Sequence, residues 1–539
     1  IKESLVFFVN SVIINPSFSS QTKDTLTTKV SGFGSKYSPS KNMMKKISKC
    51  GIVDKVIKLA EFKENASLKK TDGKKQIKLK GIPKLDDANR AGSKDSNKCS
   101  LILTEGDSAK AFAMAGVGVV GRDHFGVFPL KGKLLNVREA SVSQINNNDE
   151  INHIKQIVGL KQGVDYSDEA NFSQLRYGRI IILTDQDVDG SHIKGLVMNF
   201  LHVLWPELLQ HDGFITSLAT PIVKLFKGKE VKIFYNLTQY EDFVDELKEK
   251  NQNHLWKTKY YKGLGTSTSA EAKEYFNGIE NKLIKYFYKS AMKAMESSNE
   301  DSDSDSDDTE DDTSESSTTK KTKDFKKSLL LDNDDDAITL AFDKERSDDR
   351  KYWLLNYNKN NILTNDKKAI SYSDFIHKDL IHFSNDDTFR SIPSIVDGFK
   401  PSQRKIFYGA SLRGLDKHEV KVAQLAGFVS DKAAYHHGEA SLMGAIIGMA
   451  QNHVGSNNIN ILEPEGQFGT RLKGGKDSAS SRYIWTKLND LTKLIFREED
   501  EPILNYLDDE GKRVYTLKKK TTKYKKYVTQ KKRRCQERW

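Results

Sequence analysis

The sequence predicts an α/β domain built on a parallel sheet, then a second domain of α+β type, with a disordered acidic insertion between them. Three observations lead there. Two short apolar runs, Ser100–Thr104 and Arg179–Thr184, are each closed by acidic residues and followed by a helix-like stretch. Buried strands alternating with helices are the pattern of a parallel sheet covered on both faces. Residues 297–327 are almost entirely Ser, Asp, Glu, Thr and Lys, and cannot bury enough apolar surface to offset ordering. From about Ser384 to Gly511 the texture changes to Gly-rich, basic and aromatic segments.

Taken in order, residues 4–15 read as an apolar strand or helix ending at Asn15-Pro16, and Ser19–Lys23 as a polar loop. Met44, Ile47, Ile52, Val56, Ile57 and Leu59 give helical spacing over 41–63, followed by a Lys-rich connection through Lys80. The first strand ends at Glu105–Ser108 and leads into an Ala-rich helix. The second ends at Asp185 and leads into a helix over 192–205. Folded sequence resumes near Leu329, with Asp343–Leu355 helical, and the tail after Gly511 shows no hydrophobic period.

Charge must be located before it means anything. The net charge is +12, yet Lys512–Trp539 alone holds thirteen basic residues and one acid, while Asp301–Glu315 holds nine acids and no base. The remaining body is mildly basic, suited to a local anionic ligand and unlike a polycation. No apolar run approaches the ~20 residues of a membrane span. The chain opens on Ile1 with no signal peptide and reads as part of a longer protein. Cys50, Cys99 and Cys535 are too scattered for a disulfide framework or zinc cluster, which fits a reducing compartment.

Glu105 and the set Asp185, Asp187 and Asp189 follow strands directly, and ligands of open parallel sheets bind at the carboxyl ends of strands. Four such carboxylates call for a cation, and hard oxygen donors suit Mg²⁺. Alternatively, the Asp-x-Asp-x-Asp stretch is a solvated calcium-like loop or a helix cap. An EF-hand is excluded, because its twelfth position from Asp185 is Leu196.

A second candidate site surrounds Tyr483. A lone Tyr is ordinarily a packed aromatic, but Gly466, Gly469, Gly474 and Gly475 permit tight backbone here, and Arg471, Lys473, Lys476 and Arg482 supply cations. A Tyr hydroxyl, with a free pKa of ~10, needs nearby positive charge to act as a nucleophile. The planar fork of Arg482 suits a phosphate.

The segments Pro83–Asn89, Glu105–Ala109, Pro129–Glu139, Thr184–Asp187 and Tyr260–Thr266 resemble the Toprim domain as it occurs in the eukaryotic type IIA DNA topoisomerases. The second half resembles the winged-helix DNA-cleavage domain of that family, through Ile392–Pro401, Gln403–Lys405, Lys421–Ala426, Tyr435–Glu439 and Gly466–Tyr483. The resemblance implies an ATP-dependent, double-strand-passing DNA topoisomerase acting as a homodimer in the nucleus on double-stranded DNA. It implies Tyr483 as nucleophile, with Arg482, Arg404 and His437 assisting, and Mg²⁺ held by Glu105, Asp185, Asp187 and Asp189. Lys131, Lys133, Lys405 and Lys421 would face DNA, while Gln21 and Lys23 would reach ATP bound mainly by a preceding domain. Ser481 stands where the family has Pro or Ala.

The expected division is the end of the family's transducer domain with linker helices at 1–65, Toprim at 66–296 and the acidic insertion at 297–328. A connection follows at 329–389, then a truncated winged-helix domain at 390–511 and an unmatched Lys-rich tail at 512–539. Two other readings compete: a Toprim nuclease or primase-like enzyme, and a non-catalytic DNA-binding remnant. Tyrosine and Toprim on one chain argue against the nuclease, and also against a bacterial-type gyrase B subunit. The Lys531–Arg534 cluster reads as a nuclear localisation signal or a sequence-independent DNA contact, and the whole tail alternatively as a frame artefact.

Overall fold

The structure, a computed structural model, describes residues 12–289 and 333–497 and two strands at 505–509 and 512–516, apart from scattered positions that include Gln21, Lys262, 364–367, Val396 and His436. The expectations for most of 4–15, for the acidic insertion and for the tail beyond 516 fall outside the described residues. The helical spacing at 41–63 becomes two helices, Lys41–Lys49 and Ile52–Leu68.

Strands β1 (Ser100–Thr104), β2 (Phe125–Pro129), β3 (Arg179–Leu183) and β4 (Ile215–Leu218) run parallel to their neighbours. Next, β5 (Val223–Lys227), β6 (Glu230–Phe234) and β7 (Lys257–Tyr260) form a small antiparallel sheet. The chain then returns with β8 (Leu283–Phe287), antiparallel to β4, and β9 (Ala369–Ser371), parallel to β8. The main sheet is thus six-stranded, mixed but mostly parallel, in the order β2-β1-β3-β4-β8-β9. Every residue of β1 is buried, as are four of five in β3, because helices cover both faces. The segment expected as a mere connection supplies β9 and, with helix Asp334–Phe342, part of this core.

The helix Asp107–Val120 follows β1, and its Ala and Gly residues let it press against helix Ser269–Phe276. A Cβ on Gly116 would overlap the Phe276 ring, so the side chain is missing where the second helix packs closest. The helix Val188–Leu204 follows β3; its long run of buried residues explains why the sequence there lacks a clean amphipathic period.

In the second half, helices Pro401–Leu412, Val422–Lys432 and Glu439–Ala450 pack on a small antiparallel sheet of β10 (Val420–Lys421), β11 (Leu462–Glu465) and β12 (Trp485–Leu488), ordered β10-β12-β11. Their core is separate, centred on Ile406, Leu425, Val429, Leu442 and Ile446. Beyond it, β13 (Asn505–Asp509) pairs antiparallel with β14 (Lys512–Thr516). This corrects the expectation that the chain loses pattern at Lys512: alternation over so few residues, in a Lys-rich context, is too short a signal to read.

Gly116→Ala is expected to lower stability by roughly 1–3 kcal/mol through overpacking, despite the better helix propensity of Ala. Denaturant unfolding of the two proteins measures the difference.

Candidate functional site

The register of β1 on β3 builds the first site. Thr104 lies beside Leu183, so Glu105 and Asp185 emerge together at the carboxyl edge of the sheet. The Asp185 amide points at Glu105 Oε2 at 3.4 Å. Burial, then the charges of Asp185 and Asp187, pushes the Glu105 carboxyl up to about 7. Burial also raises Asp185, against the opposing effect of a hydrogen bond from the Leu264 amide.

The other two acids are deployed differently. Asp187 caps the helix Val188–Leu204, accepting from the Gly190 amide at 2.7 Å, which fulfils the helix-cap alternative for that residue. Asp189 is gripped by both terminal nitrogens of Arg390 at 2.8 Å and by Lys133 at 3.0 Å, and Arg390 above all holds its carboxyl well below the usual range. The four acids therefore do not form one equivalent set. No group of three or more acidic, His or Cys side chains among the described residues forms a ready-made metal cluster. The pair Glu105 and Asp185, two half-buried hard-oxygen groups at one sheet edge, nevertheless fits Mg²⁺, which commonly takes one or two carboxylates and keeps several waters.

The second site is open. Tyr483 is 75% exposed and sits in a turn whose amide bonds to Ser480 O at 2.9 Å, immediately before β12. Arg482 is exposed beside it, and the Ala423 amide donates to Ser481 O at 3.1 Å, tying the turn to helix Val422–Lys432. The Gly-rich loop is held firmly. Gln451 Nε2 donates to Phe468 O at 2.8 Å and Gly475 O at 3.0 Å, and Asp477 accepts from both the amide and hydroxyl of Thr470. Gly469 and Gly475 cross closely at positive φ, where a Cβ would strike backbone or Gln451.

The remaining expected residues are scattered around these sites. Arg404 lies in the second domain with its fork on Asp397, at 2.7 and 2.9 Å, and Asp397 is buried. His437 is exposed, edge-on to Tyr435. Lys405 donates to Ala434 O at 2.7 Å, and Lys421 lies over the Trp485 ring at 5.4 Å. Lys131 is exposed, its amide bonded to Glu150. Lys23 adopts φ 58 with its ammonium 6.0 Å from the Phe18 ring, and Gln21 is outside the described residues. Sequence reasoning missed Arg390, Asp397 and the Gly263-Leu264 contact on Asp185. Only the long-range fold could reveal the first and last; Asp397, seven residues before Arg404, was within reach.

Comparison with known proteins gives three family matches. Residues 100–219 match the Toprim domain, 218–308 and 304–388 the C-terminal associated domain of Toprim, and 390–515 the A-subunit family of DNA gyrase and topoisomerase IV. The last match runs past Gly511, a second correction to the expected start of the unmatched tail. Toprim and gyrase-A-like modules are the parts of a type IIA topoisomerase, and here they lie on one polypeptide. Within that class the chain is similar to eukaryotic and viral DNA topoisomerase 2. It is 50% identical over 529 residues to DNA topoisomerase 2 of Acanthamoeba polyphaga mimivirus, covering 95% of this chain and 41% of that protein. It is 48% identical over 528 residues to DNA topoisomerase 2-beta of Gallus gallus, covering 95% of this chain and 30% of the relative. A crystal structure of the Plasmodium falciparum topoisomerase II DNA-binding, cleavage and re-ligation domain aligns over 82% of this chain and 54% of its own, with 47% identity and a TM-score of 0.64. The chain thus spans less than half the length of these two sequence relatives. The matches favour the topoisomerase reading over the nuclease and remnant readings.

A carboxyl whose folded pKa exceeds its ordinary 4.5 binds its proton more tightly when folded, so stability falls as pH rises from about 4.5 to about 7. In EDTA, Glu105→Gln is expected to melt higher than the parent above pH 7, by on the order of 2 kcal/mol, with the curves converging below pH 4.5. Mg²⁺ at pH 8 is expected to stabilise the parent and not the variant, as thermal melts across pH will show.

Proposed function

We propose that this chain carries the DNA-breaking centre of a type II DNA topoisomerase. The observation that carries the reading is the joint presence, on one polypeptide, of a half-buried carboxylate pair at a Toprim sheet edge and an exposed tyrosine beside Arg482. Tyr483 attacks a backbone phosphorus through its hydroxyl oxygen, forming a phosphotyrosine bond as the bond to the deoxyribose oxygen breaks. The tyrosyl proton is released, and the departing oxygen takes up a proton. Reversal restores the DNA linkage without a hydrolytic step. Arg482 supplies a planar cation to the phosphate, and the rigid glycine loop holds the turn so that little ordering is left for DNA binding to drive. Mg²⁺, when bound by Glu105 and Asp185 with Asp187 nearby, would supply charge stabilisation for the phosphodiester. Arg404, secured by Asp397, His437, Lys131, Lys133, Lys405 and Lys421 are assigned to phosphate and backbone contacts.

The remaining features rest on family resemblance. They are a homodimer in which each protomer cuts one strand, passage of a second duplex at the expense of ATP sensed through Lys23 and Gln21, and a nuclear location. Among the described residues no helix is long and apolar enough to cross a membrane.

Incubation of the chain with labelled duplex DNA and Mg²⁺, followed by denaturant, is expected to leave a covalent adduct. Tyr483→Phe is expected to abolish it while binding persists and weakens steeply with salt; an adduct surviving in that variant refutes the assignment. Glu105→Ala and Asp185→Ala are expected to reduce cleavage by orders of magnitude without unfolding the domain, because neither carboxylate is needed for packing. A metal titration of cleavage checks this, and an unchanged Mg²⁺ dependence in both counts against the metal site.

A further inference from the structure

The turn after β7 lies across Asp185. The Leu264 amide donates to Asp185 Oδ1 at 2.7 Å. A Cβ on Gly263 would stand 3.0 Å from Asp185 Cγ and closer still to Oδ2. Gly263 has φ 177, an extended conformation open to any residue, so backbone torsion does not require glycine here. What excludes a side chain is the Asp185 carboxylate itself. Gly265, two residues on, meets only Ser108 Cβ at 3.7 Å and serves as the natural control.

The turn is anchored on both sides. Before it, the Tyr261 hydroxyl and Lys259 bond to Glu271 Oε1 at 2.6 and 2.7 Å, and Glu271 also completes a capping box with Thr268. Within and after it, the Thr266 hydroxyl bonds to Gly263 O at 2.7 Å, and Leu264 is buried against the helix that follows β1. Asp185 Oδ1 is therefore committed to a fixed amide, while Oδ2 accepts no hydrogen bond among the described residues and faces the gap left by the missing side chain.

We propose that Gly263-Leu264 is a positioning clamp for Asp185: the amide fixes the carboxylate's orientation, and the absent side chain reserves space at its free oxygen for a divalent cation and its waters. The proposal rests on the assignment of Asp185 to metal. Groups that orient a metal-holding side chain typically change affinity 10- to 100-fold when altered.

The test is Mn²⁺ binding to the whole chain, read from the free-ion electron paramagnetic resonance signal, alongside melting in EDTA. Gly263→Ala is expected to bind Mn²⁺ about tenfold more weakly or worse, with Gly265→Ala equal to the parent. Asp185→Asn is expected to lose this binding. If Asp185→Asn loses binding while a folded Gly263→Ala keeps parental affinity, the clamp is refuted and the metal assignment stands. If Asp185→Asn binds as the parent does, the metal assignment fails and the clamp with it. Should Gly263→Ala not fold, Glu271→Ala loosens the same turn from its anchor without touching Asp185. Parental Mn²⁺ affinity in that folded variant overturns the proposal.

Discussion

Two carboxylates are held side by side at the edge of a buried sheet, and much of the first domain is arranged around that constraint. Parallel pairing of β1 with β3 fixes the register, and the register leaves Glu105 and Asp185 no way to separate. Burial raises both carboxyls, and the charges of Asp185 and Asp187 add to the rise at Glu105, while that of Asp187 adds to the rise at Asp185. A domain selected for stability alone would place an amide or an apolar residue there. The chain instead keeps the repulsion and covers one acid with a backbone amide. Unfavourable charge kept at a strand end is more often a feature of a functional site than of a packing core, and it supports the cation reading proposed above.

The nearby cations show how that charge is kept available. Lys133 and Arg390 both settle on Asp189, the acid farthest along the loop. Asp187 turns its oxygen to the helix terminus it caps. Neither cation bonds to Glu105 or Asp185. Arg390 lies on the helix Ile381–Ser391, whose Ile381 and Phe383 pack in the first core, so its grip on Asp189 fastens the last helix of that core to the loop after β3. With Asp189 at about one-fifth exposure, a bidentate pair there is stronger than an ordinary surface bridge.

The sequence made the local parts of this arrangement legible and left the long-range parts hidden. Apolar runs closed by acids located β1 and β3, because strands buried on both faces carry no competing pattern. Glycines among cations singled out the Tyr483 segment, because close backbone crossings such as Gly469 on Gly475 leave a compositional trace. Arg390 could not be paired with Asp189 by any spacing rule, since the partners are 201 residues apart. Asp187 and Asp189 looked equivalent in sequence, and only helix capping and ion pairing separate their roles. Segment 329–389 read as a connection because β9 is three residues long, too short for an alternating signal, although its place at the sheet edge makes it part of the first core.

The two candidate sites make opposite physical demands, which explains why they sit on different cores. The carboxylate pair needs partial burial, so that mutual repulsion is strong enough to favour a divalent cation over solvation. The tyrosine, in the proposed role, needs exposure, because duplex DNA is too large to enter a cavity. Burial is supplied by a six-stranded sheet with helices on both faces. Exposure without floppiness is supplied by a turn tied to the helix Val422–Lys432 and beside a loop pinned by Gln451 and Asp477. One compact core could not satisfy both, since what desolvates the acids would also cover the tyrosine. The helix Ile381–Ser391, packed on the first core and fastened to Asp189 through Arg390, leads the chain from one environment to the other and lets each core keep its own.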